Sequence, residues 1–324
     1  SRVHACVRAC VPPGRAGWHE RPPPMAGRSP VADGAAGDLE PAWPSLRAAA
    51  IAILRTPCLQ AKVRSTAAAA DLWRAGGLPV AVCGGEDDPP VPDTPARPED
   101  VSVVGKGRVK SGSTRAMLHG ICHAESYAID LMWDTVARFS LGDGDGGDAP
   151  PRAFFDEWVD IASDEARHFS GWARHLEERY ETRYGELPTH DMLWEVAFAT
   201  RHSLRARLAV VHLIHEARGL DVAPAVRAKC LRSRDTVAAE VLDQNIADEV
   251  RHVGAGARWF RHLCSHEGGG GGADPGAEFA RLARAHYQGA LKRPFNDELR
   301  RAAELPEEWY LPLAEAQPAA EEDS

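Results

Sequence analysis

The seven cysteines of this chain form no Cys-x-x-Cys pair, and their number is odd. A zinc ribbon needs cysteines paired at short spacing, and a closed disulfide framework needs an even number. Neither class is indicated, so we expect reduced thiols and a cytoplasmic protein. The cysteines are Cys6, Cys10, Cys58, Cys83, Cys122, Cys230 and Cys264.

Long apolar runs are also missing. No stretch approaches the roughly 20 residues that a membrane-spanning helix requires, and no signal-peptide core precedes a small-residue cleavage site. Positive charge is scarce, with 38 Lys and Arg against 47 Asp and Glu and a formal net charge of -9. Gripping a phosphate backbone needs a clustered positive surface. We therefore expect no membrane contact and a small acidic or neutral partner.

The two ends of the chain differ from its centre. Residues 1–44 are rich in Arg and Pro, and they contain almost no acidic residue before Asp33. The many prolines oppose the amphipathic helix that transit peptides usually form. We interpret residues 1–44 as a disordered extension, with organellar targeting as the alternative, and residues 311–324 as an acidic tail.

Strand-like alternation is absent, and a helical period replaces it. Apolar residues recur at i, i+3, i+4 and i+7 in four long segments, at about 113–140, 151–181, 190–217 and 233–265, which predicts amphipathic helices. Short helices are predicted within 45–76 and near 224–232 and 276–289, and residues 77–112 are predicted to wrap over the surface. The fold class is therefore all-α, with a single helical domain over residues 45–310.

Two of the long segments carry the same five-residue pattern, Asp-Glu-x-Arg-His, at residues 164–168 and 248–252. A Glu and a His three apart lie on one face of a helix, within reach of the same ion. Only these two of the fourteen histidines follow a Glu at that spacing. Glu165 and Glu249 also fall within the apolar stripe of their helices, so both motifs are predicted to point inward.

The other two long segments each offer one carboxylate at an equivalent place. Glu125 follows Leu118 and Ile121, and Glu216 follows Leu213. The order along the chain is then Glu, Glu-x-x-His, Glu, Glu-x-x-His, which is the arrangement of di-iron and di-manganese carboxylate bundles. Two divalent cations would balance four buried carboxylates that otherwise repel one another. Six nitrogen and oxygen ligands leave open positions, which suits two iron ions, or manganese, better than structural zinc.

Ordinary interpretations compete with this one. A surface salt-bridge pattern with the neighbouring Arg is the alternative for the two motifs. For Glu125 and Glu216 the ordinary alternative is stronger, because a single Glu is common in a helix. His123 and His215 are interpreted as core histidines, and Asp130 competes with Glu125 for the ligand role. The Asp and Arg of the motifs are predicted to be partners of the ligands or surface residues, namely Asp164, Arg167, Asp248 and Arg251.

The chain resembles an uncharacterised ferritin-like family known as domain of unknown function 455. The likeness covers residues from about 45 to 309 and rests on the segments SGSTRAMLHGICHAESYAIDL, PRAFFDEWVDIASDEARHF, YGELPTHDMLWE, HEARGLDVAP, DEVRHVGAGARWFR and KRPFN. It implies a ferritin-like four-helix bundle with additional N-terminal and C-terminal helices. The implied metal ligands, all present here, are Glu125, Glu165, His168, Glu216, Glu249 and His252.

A di-iron site of this kind predicts an O₂-activating oxidase or hydroxylase, a non-haem oxidoreductase in which the metals carry the redox chemistry. The predicted partners are O₂, an electron donor, and a small molecule or a modified nucleoside as substrate. Two alternatives stay open, a ferroxidase or iron-handling protein and a tRNA-modifying hydroxylase. The sequence shows no pattern that selects a substrate, a general acid or base, or an oligomeric state.

Overall fold

A computed structural model describes residues 43–82, 89–105, 108–109, 112–265, 273–287 and 290–314. Within these ranges the chain is helical and has no β-strand, only two isolated bridges that pair Val103 with Thr189 and Leu291 with Ala314. The predicted all-α class is confirmed. The predicted extension lies outside the described residues up to position 42, as does the acidic tail from position 315.

Eleven α-helices, one π-helical segment and one 3₁₀ turn are found in the described part of the chain. They are α1 (Leu46–Leu54), α2 (Leu59–Arg74), α3 (Thr114–Phe139), α4 (Arg152–Tyr180), α5 (Met192–Ala199), α6 (Leu204–Arg207), the π-helical segment (Leu208–Glu216), α7 (Ala217–Arg232), α8 (Thr236–Ser265), α9 (Pro275–His286), α10 (Asp297–Ala302), α11 (Glu307–Tyr310) and the 3₁₀ turn Leu311–Leu313.

Local chemistry sets several helix ends. The side chains of Ser45, Ser113 and Ser203 each accept a hydrogen bond from a backbone N–H in the first turn of the helix that follows, which satisfies a donor that has no partner within the helix. At the other end of α4, Glu181 adopts a left-handed conformation with φ of 48°, a common way to stop a helix.

Three long helices and the π-helical segment surround the interior. α3 packs chiefly on α4, α8 packs on α7 and the π-helical segment, and α1 covers α3. Large aromatic side chains fill the space between them, as where Phe154 stacks on Trp158 with 4.0 Å between ring centroids. None of the described helices combines the length and apolar content needed to cross a membrane.

The prediction of one helix over 190–217 is wrong. α5 ends at Ala199, and a new helix begins at Leu204 after the Ser203 cap. This helix runs through the π-helical segment and past Pro224 to Arg232, so the helix predicted near 224–232 is the end of α7. Propensity at Pro224 argues for a break, but burial of Leu220 and Ala223 holds the helix together.

Residues 77–112 are fastened to the helices where the structure describes them. The backbone N–H of Leu46 donates to Pro79 O at 2.8 Å, and that of Ala96 donates to Leu54 O at 2.7 Å. The indole N–H of Trp194 donates to Asp93 O at 3.1 Å. The described part of this segment therefore lies against α1 and α5.

Candidate metal centre

Four of the six predicted ligands meet around the imidazole of His168. Its Nδ1 atom lies 3.6 Å from Glu125 Oε2, 3.5 Å from Glu165 Oε2 and 3.6 Å from Glu249 Oε1. One ligand atom from each of these four residues lies within 4.8 Å of the others. α3, α4 and α8 thus bring three carboxylates and one imidazole to a space of the size that one metal ion takes.

His252 adds a second imidazole to the same cluster. Its Nδ1 atom lies 3.0 Å from Glu165 Oε1 and 3.8 Å from Glu249 Oε2. Glu165 and Glu249 therefore each direct one oxygen towards His168 and the other towards His252. Carboxylates placed in this way can bridge two ions, one beside each imidazole.

The outer face of each imidazole is held by the Asp of the other motif. His168 Nε2 lies 3.1 Å from Asp248 Oδ2, and His252 Nε2 lies 3.3 Å from Asp164 Oδ2. An ionised carboxylate only accepts hydrogen bonds, so each Nε2 carries the hydrogen and donates it. This leaves Nδ1 to face the glutamates in both rings, the orientation expected of histidines that bind a metal.

The two arginines of the motifs complete this outer layer. Arg167 Nη2 donates to Asp164 Oδ1 at 2.6 Å and to Asp248 Oδ2 at 2.8 Å. Arg251 Nη2 donates to Asp164 Oδ2 at 2.9 Å and also to Asp248 Oδ1. Both guanidinium groups are more than half exposed, so they close the site on its solvent side and join α4 to α8.

The polar atoms at the centre show whether a metal fits. Glu165 Oε2, His168 Nδ1 and His252 Nδ1 are buried and have no hydrogen-bond partner among the described residues. A buried polar atom without a partner costs roughly 1 to 3 kcal/mol, and a neutral Nδ1 would present its lone pair to carboxylate oxygens. Cations placed between these atoms would satisfy all three, and imidazole with carboxylate is a donor set that iron and manganese accept.

Without cations, protons must balance the buried charges. Burial, with the neighbouring Glu165 charge, raises the pKa of Glu125 to about 8. Burial alone would lower the pKa of His168, but the hydrogen bond to Asp248 and the nearby glutamates outweigh it and raise that pKa to about 12. Burial also acts to raise the pKa of Glu165, yet the two histidines hold it below its usual value. The metal-free centre therefore stores protons that a cation would displace.

Glu216, the sixth predicted ligand, also has a hydrogen-bond partner outside the predicted ligand set. It ends the π-helical segment, and its Oε2 atom accepts a hydrogen bond from Nδ1 of the fully buried His212 at 2.7 Å. Its Oε1 atom is buried without a partner among the described residues, and it lines the same cavity as Glu125, Glu165 and Glu249. One carboxylate oxygen thus remains available to the centre.

His212 is a contact of the site that was not predicted, although its position four residues before Glu216 is a helical contact distance. Its ring meets Trp158 edge to face, with 5.0 Å between ring centroids. Across from it stands Gly256, where a Cβ atom would come within 2.6 Å of the His212 Cβ. The absence of a side chain at Gly256 therefore lets α8 approach the π-helical segment closely at His212.

A cavity of about 260 Å³ opens onto the glutamates. We call it the carboxylate cavity. Its polar lining consists of Glu125, Glu165, Glu216, Glu249, His215 and Asn245, and the remaining walls are apolar. Those walls include Ile121, Leu131, Val211, Val226, Leu242 and Ile246. A molecule in this cavity would touch the centre while its surroundings stay apolar.

Asp130, the competitor of Glu125, does not reach the centre. Its carboxylate is fully buried and paired with the ammonium group of Lys62 and with Arg97 Nη1, the latter at 2.7 Å. Asp130 therefore links α3 to α2 and to Arg97 in the segment 77–112. Glu125, and not its competitor Asp130, belongs to the group of residues that meet at the centre, because the Asp130 carboxylate is paired with Lys62 and Arg97 instead.

The histidines beside the single glutamates differ from each other. His123 Nδ1 lies 2.8 Å from Tyr184 Oη and its Nε2 lies 3.0 Å from His190 O, which agrees with the interpretation as a core histidine. Burial lowers its pKa to about 3. His215 instead lines the carboxylate cavity and contacts the Tyr287 ring at 5.6 Å.

The sequence comparisons place the chain in a family. The model of the family described as "Protein of unknown function (DUF455)" matches residues 55–311, and the chain belongs to that family. An uncharacterized protein of Haemophilus influenzae is 36% identical over 159 residues, which are 47% of this chain and 52% of the relative. The match thus spans about half the length of that relative. No solved structure matches significantly.

Proposed function

We propose that this member of the DUF455 family is a ferritin-like protein that holds two metal ions, iron in the first place and manganese as the alternative. The observation that carries the proposal is the arrangement of Glu165 and Glu249, each with one oxygen beside His168 and the other beside His252. Two ions, one at each imidazole, match that geometry and the orphaned buried atoms.

A four-helix bundle is the architecture that we propose for this centre. Its members would be α3, α4, α8 and the continuous helical stretch from Leu204 to Arg232. Each contributes in the order expected of di-metal carboxylate bundles, single glutamates from α3 and the π-helical segment and Glu-x-x-His from α4 and α8. A π-helical turn often occurs at functional sites, and here it presents Glu216.

The reaction that we propose is oxidation or hydroxylation of an organic substrate with O₂. When bound, reduced iron would supply the electrons and the O₂-binding position. The protein would contribute the ligands, the Asp248 and Asp164 contacts that orient both imidazoles, and apolar walls that exclude water from the carboxylate cavity. An electron donor would restore the reduced state.

The apolar walls favour an organic substrate over iron as the substrate. A ferroxidase takes up hydrated cations, and aliphatic side chains offer such cations no polar contact. The basic residues near the end of α7, Arg227, Lys229, Arg232 and Arg234, are the ones that could contact tRNA phosphate. They do not favour tRNA as the substrate, because Arg227 is paired with Asp243 at 2.8 Å. Iron handling and tRNA modification therefore stay as alternatives without an observation in their favour.

Anaerobic reconstitution with Fe²⁺ or Mn²⁺, followed by metal analysis of the full chain, tests the proposal. We expect two ions per chain, and fewer in Glu165→Gln and His252→Ala. Glu157→Gln is the matched control, because Glu157 is a partly exposed carboxylate of α4 that pairs with Arg258. Fewer than two ions in the natural chain, with no further loss in the two variants, would overturn the dinuclear proposal. About two ions per chain, rather than hundreds per assembly, distinguishes an enzyme from a store.

A further inference from the structure

A second cavity adjoins the first, and it differs in charge. It measures about 660 Å³ and lies between α5, the start of α7 and the segment around Lys292. We call it the cationic cavity. Its lining includes the cationic side chains of Arg218, Lys292 and Arg300 and the imidazoles of His190 and His286. Among the described residues, the only carboxylates that face it are Glu195 and Asp221.

The carboxylate of Asp221 is already committed. Arg300 donates to both of its oxygens, at 2.8 Å and 2.7 Å, and the backbone N–H of Asn296 donates to Oδ1 at 2.9 Å. Arg218 Nη1 lies 3.4 Å from Oδ2 and also donates to Lys292 O at 2.8 Å and to Pro294 O at 3.0 Å. Asp221 therefore neutralises Arg300 and leaves little charge for other cations. Glu195 is exposed, where solvent weakens its field.

Several nitrogen atoms that have no partner among the described residues belong to side chains of this cavity. Lys292 is exposed and makes no ion pair with any described residue. Arg300 Nη1 and His190 Nδ1 are buried and have no hydrogen-bond partner in the part of the chain that the structure describes. Because the whole chain carries a net charge of -9, a cavity with surplus cations and unused nitrogen atoms selects an anion.

The two cavities share a wall. Leu193 of α5 and His215 of the π-helical segment line both of them. A ligand whose charged end lies in the cationic cavity would have to extend its apolar portion past Leu193 to reach Glu125 and Glu216. The combination of a polar, charged subsite and an apolar one is typical of small-molecule sites.

We infer that the substrate is an amphipathic anion, with a carboxylate or phosphate head in the cationic cavity and an apolar portion in the carboxylate cavity. The inference rests on the proposed function for the role of the metals, but the head-group contacts are independent of it. Arg218 and Lys292 are then positioning residues, which set how far the apolar portion reaches.

Binding of three ligands to the metal-free full chain tests the head-group site. The ligands are decanoate, decyl phosphate and decanol. Their binding is measured by tryptophan fluorescence and by calorimetry. We expect the better anion to bind about tenfold more tightly than decanol, as one or two charge-assisted hydrogen bonds predict. The tighter of decanoate and decyl phosphate identifies the head group.

Variants show where the preference arises. In Lys292→Gln, and more fully in Lys292→Gln with Arg218→Gln, the preference for the anion over decanol should fall to within about twofold. The single variant removes an exposed group without an ion pair, so a folding defect is not expected. Arg64→Gln with Arg232→Gln removes two exposed cations elsewhere and should keep the preference. Equal binding of anion and alcohol by the natural chain, or a preference that both test variants keep, would overturn the inference.

Orientation is tested in the Mn²⁺-loaded chain by nuclear relaxation of the bound ligand. The terminal methyl carbon should relax faster than the head-group carbon because it lies closer to the ions. The opposite order would overturn the inference while leaving the metal centre intact. If the chain binds no Mn²⁺ but still prefers the anion, the proposed function fails and the head-group site stands.

Discussion

His168 on α4 donates through Nε2 to Asp248 on α8, with 3.1 Å between the two atoms. The reverse contact joins His252 on α8 to Asp164 on α4 at 3.3 Å. Each Asp-Glu-x-Arg-His motif therefore supplies the inner ligands of its own helix and the outer support of the other. The Asp of each motif therefore orients the histidine of the other motif, and neither orients the histidine of its own motif.

Asp248→Asn should weaken metal binding without removing it. Loss of a partner that orients a metal-bound histidine typically costs about 10-fold to 100-fold in metal affinity, because the ring loses its fixed orientation and part of its basicity. Competition with a chelator of known affinity measures the change, at a stoichiometry still near two when metal saturates. Asp243→Asn, an exposed position of the same helix, is the control. Equal losses in both variants would contradict the cross-helix support.

Gly256→Ala should destabilise the chain by about 1 to 3 kcal/mol, the usual range for a side chain forced into a packed interior. The new Cβ atom would lie 2.6 Å from the His212 Cβ, so the imidazole must move and release Glu216. Urea unfolding measures the loss. Gly171→Ala on α4 has no atom within 4 Å of the new Cβ and should be neutral or gain up to about 1 kcal/mol. A Gly256 variant as stable as its control would show that the space is not needed.

Metal affinity should rise with pH between about pH 6 and about pH 8, by about tenfold per pH unit for each proton displaced. The sign follows from the metal-free centre, where the pKa of His168 is raised to about 12 and that of Glu125 to about 8. Both groups hold protons at neutral pH, and an ion binds only when they leave. Calorimetry in buffers of different ionisation enthalpy counts the released protons. Binding that releases none would contradict this picture.

Asp235 should stabilise the fold above its unfolded pKa of about 3.8 and lose that contribution as pH falls further. Burial favours a higher pKa, but hydrogen bonds from Tyr180 and His175 outweigh it and lower the pKa in the folded state. The Asp235→Asn variant should therefore be less stable than the natural chain by about 1 to 3 kcal/mol near neutral pH. Its free energy of unfolding should also fall less on acidification. Unfolding of both chains at pH 7 and pH 3 measures this.

The control for Asp235 is Asp160→Asn, which removes an exposed ion pair with Arg74. We expect it to change stability by less than about 1 kcal/mol at either pH. A natural chain and an Asp235 variant that lose the same stability on acidification would contradict the assignment of this carboxylate as an acid-sensitive contact.

The pattern of residue types along the sequence was sufficient to predict most of the helices. The ends of α3 and α4 lie within one residue of the predicted 113–140 and 151–181, because apolar spacing and a cap such as Ser113 act within a few residues of each other. The same period predicts that Glu165 and His168 share a face. The continuity of the helical stretch from Leu204 to Arg232 was not predicted, since burial there overrides the local break at Pro224.

Residue type and spacing specified three of the four long helical segments, the all-α class and the Glu-x-x-His faces, because these depend on a period that the chain carries within itself. Tertiary structure decided what lies across from each face. The exchange of Asp164 and Asp248 between histidines, the space that Gly256 leaves for His212 and the cavity beside Leu193 all join residues more than twenty positions apart. Distances between helices are set by packing of whole faces, which no local pattern encodes.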